Sequence, residues 1–101
     1  MEQTKPLDKE SLLEADREHL WHHISPFNPN PMIATEGKGS WVTDIDGNRY
    51  LDGMAGLWCV NIGYGRTELA DAAHEQLKQL AYFPLTQSHV PAIRLAEKVS
   101  E

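Results

Sequence analysis

Gly39-Ser40-Trp41-Val42-Thr43-Asp44-Ile45-Asp46-Gly47-Asn48-Arg49-Tyr50-Leu51-Asp52-Gly53 is the stretch that decides how this chain folds. Asp46-Gly47-Asn48 stands at its centre, and these residue types tolerate the positive φ that a tight hairpin turn demands. On either side, Ser40–Asp44 and Arg49–Asp52 carry β-branched and aromatic side chains and predict two strands. Upstream, Met32–Thr35 predicts a third, set off by Glu36-Gly37-Lys38-Gly39. The expectation is a three-stranded antiparallel meander with apolar contacts from Trp41, Val42, Ile45, Tyr50 and Leu51. Three short strands cannot shelter both faces, so one face needs a further layer, from the first helix or from chain beyond these residues.

Before the meander, Asp8 to Ile24 reads as a helix. Asp8 offers an N-cap carboxylate, Glu10 suits the first turn, and Leu13, Leu20 and Ile24 recur at helical spacing. Three prolines in Pro26-Phe27-Asn28-Pro29-Asn30-Pro31 then impose a rigid, irregular connector. After the meander, a second helix opens at Thr67 and runs to about Ala81, with Leu69, Ala73, Leu77 and Leu80 on one face. A third begins at Pro91, which suits a first helical turn, and continues through Leu95, Ala96 and Val99 to Glu101. Residues 1–31 thus form a helix and Pro-rich connector. Residues 32–101 form the meander and the start of a larger domain, whose last helix stops while its apolar face is still repeating. The expectation is the front part of something longer.

Composition narrows the function. The 101 residues include 9 Lys and Arg against 15 Asp and Glu, a formal charge of −6. The scattered basic residues do not make the clustered face that nucleic acid requires. No apolar run approaches the roughly 20 residues of a membrane-spanning helix, and the polar start Met1-Glu2-Gln3-Thr4-Lys5-Pro6 is unlike a secretory leader, so a cytoplasmic location is expected. One cysteine, Cys59, excludes an internal disulfide and a thiolate-rich metal site within the chain.

Several local patterns invite chemistry. Gly63-Tyr64-Gly65 precedes a helix as a phosphate-binding turn would, but Glu68 occupies the third glycine position, so a tight turn is the better reading. Asp44, Asp46 and Asn48 alternate as calcium ligands do, yet Gly47 comes early and Ala55 stands at the twelfth position, which favours a hairpin. His19 and His23, with Asp16, could share one side of a helix, but the pattern lacks a metalloprotease motif, and no metal is expected. Cys59 lies among apolar neighbours and reads as a buried, inert thiol. Trp58 reads as core from composition, although its place between Gly56 and Gly63 suits close approach by a ligand or another chain.

Together, these residues resemble the class III, omega-type aminotransferases that use pyridoxal 5′-phosphate. The resemblance runs through His22-His23-Ile24-Ser25-Pro26-Phe27, then Gly39 to Gly53, and on through Met54-Ala55-Gly56-Leu57-Trp58-Cys59-Val60-Asn61-Ile62-Gly63-Tyr64-Gly65-Arg66. It covers about His22 to Glu101. The Gly-Leu-Trp-Cys-Val-Asn-x-Gly-Tyr-Gly run is specific to the amine:pyruvate and omega-amino-acid:pyruvate branch.

The resemblance implies a fold-type I α/β enzyme of which this chain is an α+β part: an N-terminal helix, the small meander and two helices. It implies homodimers or larger assemblies with active sites at the subunit interface. In the family this portion lines the substrate pocket. Phe27, Leu57 and Trp58 fall on pocket positions by direct match, and Tyr82 and Phe83 through a looser one around Phe83-Pro84-Leu85. The implied reaction moves an amino group from an amine or omega-amino acid to pyruvate or another oxo acid, with a lysine-anchored cofactor as carrier. No catalytic or cofactor-binding residue of the family matches here; Lys5, Lys9, Lys38, Lys78 and Lys98 all miss the anchoring position. Taurine, β-alanine, diaminopelargonate and aryl amines are not separable on these residues. A non-catalytic remnant or interaction module is the alternative. A sister aminomutase or decarboxylase stays open, although Leu57-Trp58-Cys59 argues for transamination.

Overall fold

A computed structural model describes residues 7–101; Lys5 and the rest of the first six residues lie outside them. In chain order the elements are α1 (Lys9–His19), β1 (Ala34–Lys38), β2 (Trp41–Asp44), β3 (Arg49–Leu51), α2 (Ala55–Trp58), α3 (Thr67–Gln79) and α4 (Val90–Ser100). The compact units divide after Arg66. The 1–31 and 32–101 organisation is drawn at a change of sequence pattern rather than of contacts.

In the first unit, Asp8 caps α1 as expected: its carboxylate accepts from the Ser11 amide at 3.1 Å. The helix ends at His19, five residues before Ile24. Leu20 turns to extended backbone, and residues 20–25 form no helix. The expected apolar face therefore shortens to Leu13, which is buried, while Leu20 and Ile24 are exposed. The guanidinium of Arg17 donates to the Pro29 carbonyl at 3.1 Å and ties the Pro-rich connector back to the helix. Lys9 pairs with Asp46, which brings α1 to the β2–β3 turn.

The meander forms in the expected antiparallel order β1-β2-β3. Its first strand, however, starts at Ala34 and continues through Glu36, Gly37 and Lys38. The separator read in Glu36-Gly37-Lys38-Gly39 shrinks to the two-residue turn Gly39-Ser40, closed by the Lys38–Trp41 pair. A bulge at Thr35 absorbs the shift, and the Thr35 hydroxyl donates to the Thr43 carbonyl at 3.2 Å. At the other hairpin the buried Asp44 carboxylate accepts from the amides of Asp46 (3.0 Å) and Asn48 (2.8 Å), the Asn48 side-chain amide (3.1 Å) and the Tyr50 hydroxyl (2.9 Å). This is a hairpin built around a carboxylate, and the alternating Asp44, Asp46 and Asn48 are spent on it. Val42 and Tyr50 pair on one face; Trp41, Thr43 and Arg49 share the other, where Arg49 lies 5.0 Å from the Trp41 ring centroid.

The second unit, Thr67–Glu101, consists of α3 and α4 and the residues between them. Their boundaries fall within two residues of expectation. Pro91 sits in the first turn of α4, where a missing N–H leaves nothing unsatisfied. Leu69, Leu77, Ile93, Leu95 and Val99 are all exposed, and Leu13 is the one buried hydrophobic residue among those described. Among the described residues no helix is long and apolar enough to cross a membrane.

Candidate functional site

The segment after β3 carries the strongest departure from ordinary backbone. Ala55, Gly56, Leu57 and Trp58 all have positive φ, at 49°, 59°, 60° and 72°. The Trp58 amide donates to the Met54 carbonyl at 3.0 Å and the Cys59 amide to the Ala55 carbonyl at 2.9 Å, so α2 is one left-handed helical turn. For residues with a Cβ this hand costs about 1–2 kcal/mol each. Three of the four have one, and such strain persists only where the surroundings over-determine it.

Asp52 supplies that determination. Its Oδ1 accepts from the Met54 amide at 3.1 Å, and its Oδ2 from the Gly56 amide at 2.7 Å and the Tyr64 hydroxyl at 2.5 Å. The Tyr64 hydroxyl and the Gly56 amide hold the Asp52 carboxyl below its ordinary range, against a smaller opposing effect of burial and with further help from the Met54 amide. The same bond pushes the Tyr64 phenol up.

Tyr64 is itself fixed at both ends. Its amide donates to the Gly39 carbonyl at 2.8 Å and its carbonyl accepts from the Gly39 amide at 3.0 Å, which seats Gly63-Tyr64-Gly65 beside the start of the Gly39-Ser40 turn. A Cβ on Gly63 would come within 3.0 Å of the Gly39 carbonyl oxygen. These glycines therefore serve close backbone packing, in agreement with a tight turn rather than a phosphate cradle.

The turn presents two of the expected pocket residues. Trp58 is 83% exposed and Leu57 is also exposed. Within this chain, therefore, neither Trp58, read as core from composition, nor Cys59, read as a buried thiol, is covered: Cys59 is exposed, its Sγ 3.4 Å from the Leu57 carbonyl oxygen. Phe27, 77% exposed, borders a groove of about 250 Å³ with Asp16, Leu20, Trp21 and His22. His22 rather than His19 or His23 meets Asp16, at 3.0 Å to both carboxylate oxygens. Because α1 ends at His19, the helical spacing of His19 and His23 is lost. In the second unit Tyr82 and Phe83 lie between α3 and α4, bordering a groove of about 220 Å³ with Leu80, His89 and Pro91.

Asp52 and the Tyr64 side chain are the members of this arrangement that sequence reading passes over. One local signal was available: an aspartate two and four residues before amides that need an acceptor.

The Aminotransferase class-III family profile matches residues 24–101. The uncharacterized aminotransferase YhxA of Bacillus subtilis (strain 168) is 58% identical over 93 residues, covering 91% of this chain and 21% of that protein. A taurine–pyruvate aminotransferase of Bilophila wadsworthia is 42% identical over 94 residues, with the same two coverages, 91% and 21%. Among solved structures, a Bacillus anthracis aminotransferase superposes with a TM-score of 0.85 at 57% identity, covering 89% of this chain and 20% of that one. The omega transaminase from Pseudomonas jessenii in complex with PMP superposes at 0.78 and 34% identity, covering 87% and 21%. The chain spans about a fifth of the length of the relatives it matches. The family match over residues 24–101, together with these relatives and solved structures, shows that the chain belongs to the class III aminotransferases, pyridoxal-phosphate-dependent enzymes that include pyruvate-using members.

Proposed function

We propose that this chain is the N-terminal part of a cytoplasmic transaminase that transfers an amino group from an amine or omega-amino acid to pyruvate or another oxo acid. Residues 1–31 act as helix and connector, and residues 32–101 open the aminotransferase domain. In the intact homodimer or homotetramer, Phe27, Leu57, Trp58, Tyr82 and Phe83 form part of the substrate wall. The observation that carries this reading is the left-handed turn: backbone strain is retained to present Leu57 and Trp58 outward, where apolar substituents of an amine gain by leaving water. The exposed apolar residues of α3 and α4 are then the faces that meet the rest of the enzyme and its second subunit.

Lys9, Lys78 and Lys98 do not fit the anchor that pyridoxal phosphate takes in this family. A lysine that captures a carbonyl works as the neutral amine, in a desolvated pocket. The hydrogen bond to Asp46 instead raises the Lys9 ammonium, and Lys78 and Lys98 pair with Glu75 and Glu101 at 3.3 and 2.8 Å on open surface. The cofactor's anchor is therefore sought elsewhere in the intact protein, and this chain shapes what reaches it.

The test is amino transfer from a panel of amines to pyruvate by the intact enzyme and its Trp58→Ala variant. Selective loss of large apolar donors is expected. An intact protein with no transaminase activity would overturn the reading in favour of a non-catalytic interaction module.

A further inference from the structure

Substrate selection in such a pocket depends on where Leu57 and Trp58 point, and that depends on the hand of one turn. The two hands differ by about 120° in φ at each residue, so relaxation toward the right-handed region would aim both side chains elsewhere. Residues with a Cβ favour that relaxation. What opposes it is a short chain of contacts running from the Gly39-Ser40 turn to the Ala55–Trp58 turn. Gly39 pins the Tyr64 backbone by two hydrogen bonds, the Tyr64 hydroxyl donates to Asp52, and Asp52 accepts from the Gly56 and Met54 amides. The Tyr64 ring is braced underneath by Gly37, and Val60 Cγ2 and the Tyr64 hydroxyl oxygen crowd the space above Gly56. Both Asp52 oxygens are engaged, and Oδ2 takes two donors at once. Asparagine cannot reproduce this, because its amide nitrogen would face a donor wherever it is placed.

We propose that Asp52 and Tyr64 are positioning residues for substrate selection: they lock the Ala55–Trp58 turn in its left-handed form and so set Leu57 and Trp58 as a fixed wall for the amine's substituent. They act through those two side chains. A large substituent feels the placement of the wall, and a short one does not. The proposal rests on the pocket reading above.

The experiment compares benzylamine and β-alanine as donors to pyruvate in the intact, cofactor-loaded enzyme and its Asp52→Asn, Tyr64→Phe and Trp58→Ala variants. For Asp52→Asn and Tyr64→Phe, kcat/KM for benzylamine is expected to fall roughly tenfold or more, chiefly through KM, since displacement on the order of 1 Å is enough for such losses. The β-alanine value is expected to change by less than about threefold, because its short chain does not reach the wall. Adding Ala55→Gly to Asp52→Asn restores part of the benzylamine loss, because glycine takes the left-handed region freely. A merely structural role would lower both donors together. Equal losses, or none, in a background where Trp58→Ala does separate the donors overturn the positioning role alone. A Trp58→Ala variant that does not separate them overturns the pocket reading and this proposal together. If Asp52→Asn fails to fold, Tyr64→Phe decides the matter, because it removes one hydroxyl and leaves the ring in place.

Discussion

The ring of Tyr64 rests directly on Gly37: a Cβ built on Gly37 would lie 2.7 Å from the ring's Cγ and 2.9 Å from its Cβ and Cδ1. Gly37 sits within β1 opposite Val42, so the contact joins the sheet to the segment that ends the first unit. No neighbouring side chain can share this space without moving the tyrosine.

Gly37→Ala is accordingly expected to destabilise the protein by about 1–3 kcal/mol, the usual range for overpacking. Gly53→Ala is the control. A Cβ there meets nothing within 4 Å, and the change should stay within roughly 0.5 kcal/mol. Denaturant midpoints of the intact protein and the two variants check the pair.

Ala55→Gly should stabilise the protein. It relieves a left-handed residue at φ 49°, worth about 1–2 kcal/mol, while the added freedom of the unfolded chain returns about 0.4–1 kcal/mol. A net gain of a few tenths to about 1 kcal/mol is expected, read as a higher melting temperature. A clear loss would mean that the turn carries no strain.

Trp58→Ala should leave stability nearly unchanged while lowering kcat/KM for large apolar amines. Burying such a side chain against a substituent is worth about 1.5–3 kcal/mol, so the loss is roughly ten- to a hundredfold. Steady-state kinetics across donors of increasing size, beside melting curves, separate the two effects.

Stability should fall in acid through two carboxylates. Burial pulls the Asp44 carboxyl up, but Asn48, Tyr50 and the Asp46 amide together hold it below the ordinary value; Asp52 is lowered by Tyr64 and Gly56. A depressed folded pKa contributes stability that is present above the unfolded value of about 4 and is lost as pH falls through the folded value. The phenols of Tyr50 and Tyr64, raised by Asp44 and Asp52, contribute in the opposite sense: present below about 10 and lost as pH rises past it. Melting temperatures measured across pH should show both limbs. The acid limb should flatten in Asp44→Asn, which removes a titrating group as well as its bonds.

Much of the architecture is legible along the chain because it is decided by neighbours. Asp46-Gly47-Asn48 specifies its hairpin through residues that accept positive φ, and Asp8 caps α1 through an amide three residues on. Pro91 begins α4 and the Leu69–Leu77 periodicity marks α3 for the same reason. Where local signals conflict with distant contacts they mislead. Gly37 looks like a turn residue but lies in a strand, because only glycine leaves room for a tyrosine 27 positions away in the sequence. The extension of α1 to Ile24 follows helical spacing, yet Leu20 and Ile24 find nothing to pack on within the first unit.

The sequence by itself determined the hairpin, the helix starts and the kinship with class III aminotransferases, since each resides in short runs of residue types. Only the tertiary structure decided the left-handed turn at Ala55–Trp58. Ala, Leu and Trp each prefer the right-handed region, and nothing in their own order reverses that preference. A carboxylate at Asp52 and a hydroxyl at Tyr64, 12 residues apart and joined across the sheet, outweigh it and aim Leu57 and Trp58 outward.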